Sequence, residues 1–333
     1  MSANQYASWI DRGMPDPYLD EWARYLKWVM AKAQQEKVAT LKIGQVSRIA
    51  KGRDGWHLTM AGEDEPVTGD ALVITGPGDV TGVKGQLNGD RISDAKHFWG
   101  HPLLHRLQRH RNDRITVAVI GAGGAAASVV LTLLRSMGER CAIQVISPWG
   151  VVYTRGESYD ENRHLTDPQH WVHLGEPNQM RFLDHTSQGV FSQHVKRVMN
   201  TAVNVETVAG WVLEVQENPS RVRMLMKGSV AEDCDYAIVA TGFDDMWWAK
   251  PDMLENQLIH EVRRCAGGAP VEAEFVRRHI NDNLQLDQMS PPLHLPMLAG
   301  QRQGPGFPNL NCLGLLSDRI LRPHCHIEES GKT

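Results

Sequence analysis

The 333 residues are 41% hydrophobic, 22% charged and 7% aromatic, the balance of a soluble globular protein of about two domains, which excludes a disordered or collagen-like chain. Thirty-five Lys and Arg against 39 Asp and Glu leave a net charge of −4 with no long run of one sign, so a small molecule is the expected partner, and neither nucleic acid nor a membrane. The cysteines Cys141, Cys234, Cys265, Cys312 and Cys325 are never spaced as CxxC, which argues against a disulfide framework, a zinc site or a dithiol centre and fits a reducing cytoplasm. Met1 to Asp20 is polar and holds no apolar core of a secretory signal.

Pro17 to Lys37 reads as an amphipathic helix. Leu19, Trp22, Ala23, Leu26, Val29, Met30 and Ala33 recur at helical spacing, and Pro17 suits the first turn. A small β-meander follows: Leu41 to Ile49, a turn at Gly52-Arg53-Asp54-Gly55, Trp56 to Met60, a turn around Gly62 to Pro66, and the apolar strand Asp70 to Ile74 leading into Thr75-Gly76-Pro77-Gly78. Residues 79–112, rich in Gly and His, read as an irregular linker.

Ile115 to Leu134 is uncharged and long enough to cross a membrane. Its internal order says otherwise: a β-branched strand, Ile115 to Ile120, meets Gly121-Ala122-Gly123-Gly124 and then an Ala/Val/Leu helix. A second strand, Ala142 to Ser147, follows. A second meander is expected at Asn204 to Val208, Trp211 to Gln216 and Arg221 to Lys227, ending in Asp235 to Phe243. The endings Asp-Ala-Leu-Val-Ile-Thr-Gly-Pro and Asp-Tyr-Ala-Ile-Val-Ala-Thr-Gly-Phe look like copies, each preceded by a meander, which implies an internal duplication. Gly121 lies 120 residues before Thr241; the same offset from Thr75 falls about 45 residues before Met1. The first copy is therefore expected to lack its glycine turn.

Gly121-Ala122-Gly123-Gly124-Ala125-Ala126 fits GxGxxA between a strand and a helix. In a dinucleotide site Gly121 would permit the tight turn, Gly123 would let the pyrophosphate reach the backbone, and Ala126 would let helix and sheet close up. An NAD site usually carries an acid at the end of the second strand, where this chain has Ser147-Pro148-Trp149-Gly150. That favours NADPH, with Ser147 and Arg155 as the candidate 2′-phosphate contacts. The bland alternatives are a structural glycine turn and a solvated Arg155.

The helix Trp22-Ala-Arg-Tyr-Leu-Lys-Trp28, the endings Ile74-Thr-Gly-Pro77 and Val239-Ala-Thr-Gly-Phe243, and the GxGxxA unit together resemble the flavin-dependent N-hydroxylating monooxygenases of the lysine and ornithine type, over roughly residues 6–320. The resemblance implies an α/β chain of two Rossmann-like domains, the first incomplete at its N-terminus and the second inserted into it. Residues 1–100 would be a partial FAD-type domain, 113–242 the NAD(P)H domain and 243–333 the return to the first. Thr75, Gly76 and Pro77 would lie on the isoalloxazine side, and Thr241 and Gly242 in a connection between domains. Ser158-Tyr159-Asp160-Glu161-Asn162-Arg163-His164-Leu165 resembles the family's Ser-Pro-Phe-x-Asn-Glu-x-Phe segment, which places Asn162 near the nicotinamide and the substrate amine; Arg163 stands where the family has Glu. Asn162 could also be a polar loop residue capping a turn.

The implied reaction is NADPH-dependent N-hydroxylation of a small amine or amino acid through a flavin C4a-hydroperoxide. Without a pyrophosphate clamp, the chain alone is expected to hold FAD weakly. The alternative is an FAD-deficient nucleotide-binding remnant that acts only with another polypeptide, and either a missing N-terminal segment or a homo-oligomer would meet that need. No metal is expected: His97, His101 and His105 are interrupted by Gly100 and Pro102, and His324-Cys325-His326 reads as an exposed tail. Most tryptophans, among them Trp22, Trp28, Trp56 and Trp211, read as packing, with Trp247-Trp248 placed near a pocket.

Overall fold

The computed structural model describes residues 19–110, 114–156, 158–186, 189–228, 232–268, 271–309 and 312–325. Pro17 and His326, named above, lie outside them. The chain divides into two units, one of residues 1–47 and 59–66, the other of 48–58 and 67–333.

The first unit carries helix α1, Leu19–Gln35. Lys37 ends it in the left-handed region at φ 59°, with Val38 N–H closing on the Ala33 carbonyl at 3.0 Å. Trp22, Tyr25 and Trp28 form a ladder of rings with centroids 5.3 and 6.1 Å apart. The packing expected of Trp28 is not found: it is 52% exposed, and Trp22 is half-buried. Helical spacing shows which residues share a face and says nothing of whether that face is covered.

β1 (Val46–Lys51) and β2 (Trp56–Met60) form near the first two strands of the expected meander, and β2 pairs antiparallel with β3 (Val67–Gly69), which precedes the strand expected third; residues 48–58 and 67–69 belong to the second unit. The strand expected at 70–74 shrinks to β4, Leu72–Val73. Five parallel strands form the main sheet: β5 (Ile92–Asp94), β6 (Ile115–Ile120), β7 (Cys141–Ser147), β10 (Val205–Ala209) and β14 (Tyr236–Val239), in the order β10-β7-β6-β14-β5. Two-residue strands β8 (Tyr153–Thr154) and β9 (Val190–Phe191) pair apart from it. Two expectations are corrected here. Residues 79–112 are not a linker, because Ile92 pairs with Ala237 and helix α2, Pro102–Arg109, buries Leu103 and Leu107 completely. A three-residue strand shows no alternation, and a helix opened by His101 and Pro102 hides among turn-forming residues. Val205–Ala209 is no meander strand but the sheet edge beside β7, while β11 (Val212–Glu217), β12 (Val222–Met226) and β13 (Glu232–Cys234) form the antiparallel sheet.

Each face of the main sheet has its own cover. Helix α3, Gly124–Met137, joins Leu103 and Leu107 over Val117, Val119, Ile143 and Ile238 on one face. On the other, Val215, Val222 and Met224 of the antiparallel sheet pack on Ala118, Ile120 and Val239. Strands buried on both faces read as continuous apolar runs, which is why β6 resembles a membrane segment by composition. Among the described residues no helix is long and apolar enough to cross a membrane. Burial pushes the Cys141 and Cys234 thiols up to about 12, so neither is a nucleophile at neutral pH.

Beyond this sheet β4 pairs in parallel with β15, Leu293–His294. His294 is fully buried. Its Nδ1–H donates to the Asn283 carbonyl at 2.8 Å, so Nε2 is left to accept from His324 Nε2–H at 3.0 Å. His324 is exposed, as its reading expects, and this bond ties it to the strand. Burial holds His294 below the usual 6.5, and the charge of a protonated His324 acts in the same sense. Its neutral form belongs to the fold and its charged form to the unfolded chain, so the stability it contributes is present above pH 6.5 and is lost as the pH falls below that value. Thermal melts should show the melting temperature dropping between about pH 7.5 and 5.5, and His294→Asn, which keeps the donor to Asn283 and cannot titrate, should flatten the drop.

Candidate functional site

At the C-terminal end of β6 the chain turns through Gly121, whose N–H donates to the Ile146 carbonyl at 2.8 Å. Gly121 sits at φ +125°, and a Cβ there would lie 2.2 Å from the Ala240 carbonyl oxygen, so only glycine fits. Gly123 differs. It caps α3 with ordinary extended angles, φ −96° and ψ −175°, and a Cβ on it or on Gly124 would meet nothing within 4 Å. Open space therefore stands over the first turn of α3, which has no acidic residue and no side-chain cap. Its free N–H groups and the positive end of the helix face that space. Ala126 is fully buried against the sheet, where a longer side chain would push the helix off. The shape and polarity suit a pyrophosphate.

Ser147 ends β7 beside this turn, and it is 2% exposed. Its hydroxyl donates to the Val151 carbonyl at 3.2 Å, while its own carbonyl accepts from Gly150 at 3.1 Å and Gly210 at 2.9 Å. The side chain expected at a 2′-phosphate is turned inward and holds the loop instead. Arg155 is half-buried just beyond, with its N–H on the Phe191 carbonyl at 3.4 Å.

The stretch that follows Thr75-Gly76-Pro77 meets the Thr241-Gly242 segment. Thr81 N–H donates to the Gly242 carbonyl at 3.1 Å, the Thr241 hydroxyl returns to the Thr81 carbonyl, Val80 bridges Phe243 antiparallel, and Asp244 N–H reaches the Asp79 carbonyl at 2.9 Å. The neck this makes is too tight for a side chain at Gly78, whose Cβ would lie 2.4 Å from the Asp244 carbonyl oxygen. Lys96 pairs with Asp79 at 2.9 Å, Lys250 with Asp244 at 2.8 Å, and Arg277 with Asp245. Lys96 holds the Asp79 carboxyl below the usual range. The motif reading missed these aspartates, although each follows its Thr-Gly within four residues. Thr75, Gly76 and Pro77 are exposed. Gly76 lines a cavity of about 10 Å³ with Ile74, Trp247, Trp248, Leu295 and Leu298.

Asn162 is exposed on helix α4, Tyr159–Thr166, which Ser158 caps by accepting from Glu161 N–H at 3.2 Å. Its Leu165 carbonyl accepts from Cys312 Sγ at 3.1 Å, and on the following helix, Pro168–His173, Trp171 Nε1 donates to the Gln301 carbonyl at 3.0 Å. His164 stacks on His170 at 4.7 Å, and burial, with His170 beside it, holds it below the usual histidine value. Glu161 Oε1 and His164 Nδ1 are buried without a hydrogen-bond partner. Among the described residues no three His, Cys, Asp or Glu side chains gather as a metal site. His101 instead caps α2, accepting from Leu103 N–H, and His97 bonds Asp94 at 2.9 Å.

No protein-family model matches the sequence. The chain is 34% identical over 329 residues to the L-lysine N6-monooxygenase MbtG of Mycobacterium sp. (strain MCS), covering 96% of this chain and 73% of that protein. It is 35% identical over 327 residues to MbtG of Mycolicibacterium paratuberculosis, covering 95% and 72%. Among solved structures, the lysine monooxygenase NbtG from Nocardia farcinica superposes with a TM-score of 0.73 at 31% identity, over 95% of this chain and 75% of that one. The reduced ornithine hydroxylase PvdA from Pseudomonas aeruginosa gives 0.70 at 15% identity over 96% and 79%, a likeness of fold alone. With the α/β fold, the glycine turn and this identity along nearly its whole length, the chain belongs to the family of the L-lysine N6-monooxygenases, N-hydroxylating oxidoreductases that depend on FAD and NADPH.

Proposed function

We propose that the chain N-hydroxylates the side-chain amine of L-lysine with NADPH as reductant. The observation that carries this reading is the identity to L-lysine N6-monooxygenases, which runs through 95–96% of the chain and is not confined to the nucleotide domain. That spread does not favour a remnant without activity of its own. The domain plan is two Rossmann-like units, 113–242 with β5 and α2 inserted between the neck segments, and a first domain to which β4 and β15 belong.

The glycine turn fits NADPH. Gly123 and Gly124 leave the pyrophosphate room at the N–H groups of α3, and Arg155 is the cation for the 2′-phosphate. Ser147 serves the same end by holding its loop. FAD fits less completely: Thr75, Gly76 and Pro77 would face it, but among the described residues no second strand, glycine turn and helix offers its pyrophosphate a cradle. When bound, the flavin supplies oxygen activation and NADPH supplies hydride. Asn162 would orient the substrate, its amide oxygen accepting from an amine N–H while its NH₂ donates to a carboxamide. Thr241 and Gly242 fix the neck on which both halves hang.

With added FAD, the chain should oxidise NADPH and yield N6-hydroxylysine from L-lysine; lysine-independent NADPH oxidation without hydroxylamine product would defeat the reading. NADPH should bind about tenfold more tightly than NADH, and Arg155→Ala should remove most of that preference, as titration of each nucleotide would show. Equal affinities in the unmodified chain would remove Arg155 from the site.

A further inference from the structure

The loop that follows β7 presents a feature that the pyrophosphate cradle leaves unused. Trp149 is 74% exposed, among the largest exposures of any bulky apolar side chain described. It is not loosely held. Pro148 fixes the backbone before it, Gly150 at φ +64° follows it, and the Gly150 N–H closes the turn on the Ser147 carbonyl at 3.1 Å. A Cβ on Gly150 would lie 2.9 Å from the Ala209 side chain, so the turn is wedged against the end of β10. Ser147 is locked to both loops, through Gly150 and Gly210. A rigid turn thus holds an indole in water beside the strand that hydrogen-bonds the Gly121 turn through Ile146.

We infer that Trp149 is the stacking platform for the adenine ring of the bound nucleotide. The inference rests on the reading of Gly121 to Ala126 as a pyrophosphate cradle. A dinucleotide held there places its adenosine ribose at the end of the second strand, which is Ser147. Two residues on, the adenine needs a face, and an indole supplies area at little entropic loss because its turn is already ordered. Val151 in the same loop and Tyr153 at the start of β8 are 46% and 56% exposed.

The test is calorimetric titration of the full chain with three probes: NADPH, 2′,5′-ADP, which carries the adenine half, and reduced nicotinamide mononucleotide, which does not. Trp149→Ala should weaken NADPH and 2′,5′-ADP between about fivefold and a hundredfold, the range of one base–aromatic stack. Trp149→Phe should stay within about threefold of the parent, and the mononucleotide should not respond to either change. Because the side chain is exposed, both variants should melt with the parent. Unchanged NADPH affinity in Trp149→Ala, with binding abolished in Gly123→Val, would overturn the inference and leave the cradle standing. Unchanged affinity in both would instead defeat the cradle itself. A shift in sedimentation without a shift in affinity would assign Trp149 to contact between copies and likewise overturn the inference.

Discussion

Gly123→Val is expected to lower NADPH affinity by at least about a hundredfold while the chain still folds. Two lost charge-assisted hydrogen bonds to the pyrophosphate, at about 1.5–3 kcal/mol each, suffice for that factor. The fold should survive because Gly123 sits at angles open to a β-branched residue, φ −96° and ψ −175°, and its Cβ position is empty to 4 Å. A valine cap costs the helix about 1 kcal/mol, a few degrees of melting temperature. Nucleotide titration alongside a thermal melt separates the two effects. Full affinity in the folded variant would show the turn to be structural only.

Two residues earlier the opposite is expected. Gly121→Ala puts a methyl 2.2 Å from a backbone carbonyl at φ +125°, and neither the oxygen of Ala240 nor the strand behind it can give way cheaply. Strain at such an angle costs about 1–3 kcal/mol before the clash is counted, so a loss of about 3 kcal/mol or more should appear in urea unfolding. A variant as stable as the parent would mean that β14 is free to move away from β6. Together the substitutions divide one motif into a glycine kept for the fold and a glycine kept for the ligand.

How much of this was legible in the sequence depended on how far apart the contributing residues lay. Ile115 to Ala126 is a local pattern, and strand, turn and helix all lie where spacing put them. The bond of the Thr241 hydroxyl to the Thr81 carbonyl joins residues 160 apart, and Thr81 lies beyond the two similar phrases, which end at Pro77 and Phe243, so nothing local announced the contact. Ile92 to Asp94 was illegible for a physical reason: its place in the sheet is dictated by Ala237 and Val239, not by any pattern of its own. Trp28 and Trp211 erred in the other direction, since apolar residues on a regular face were read as packed and stand 52% and 54% exposed. At the site, the backbone features read best; the inward turn of the Ser147 hydroxyl depends on the loop that Gly150 closes, which no residue type announces.

The neck has a bearing on how the molecule comes to be folded. It closes a loop of about 160 residues, and closing a chain of that length costs roughly 4–5 kcal/mol of entropy, more than the handful of backbone bonds between Thr81, Val80 and the Thr241 segment returns by themselves. Those bonds can persist only after the enclosed sheet has brought β5 and β14 side by side, since β5 begins eleven residues after Thr81 and β14 ends two before Thr241. The interior of the loop must therefore assemble first and the neck last. A ribosome would release the first neck strand long before its partner exists, and Thr81 would wait, unpaired, for the second half of the chain.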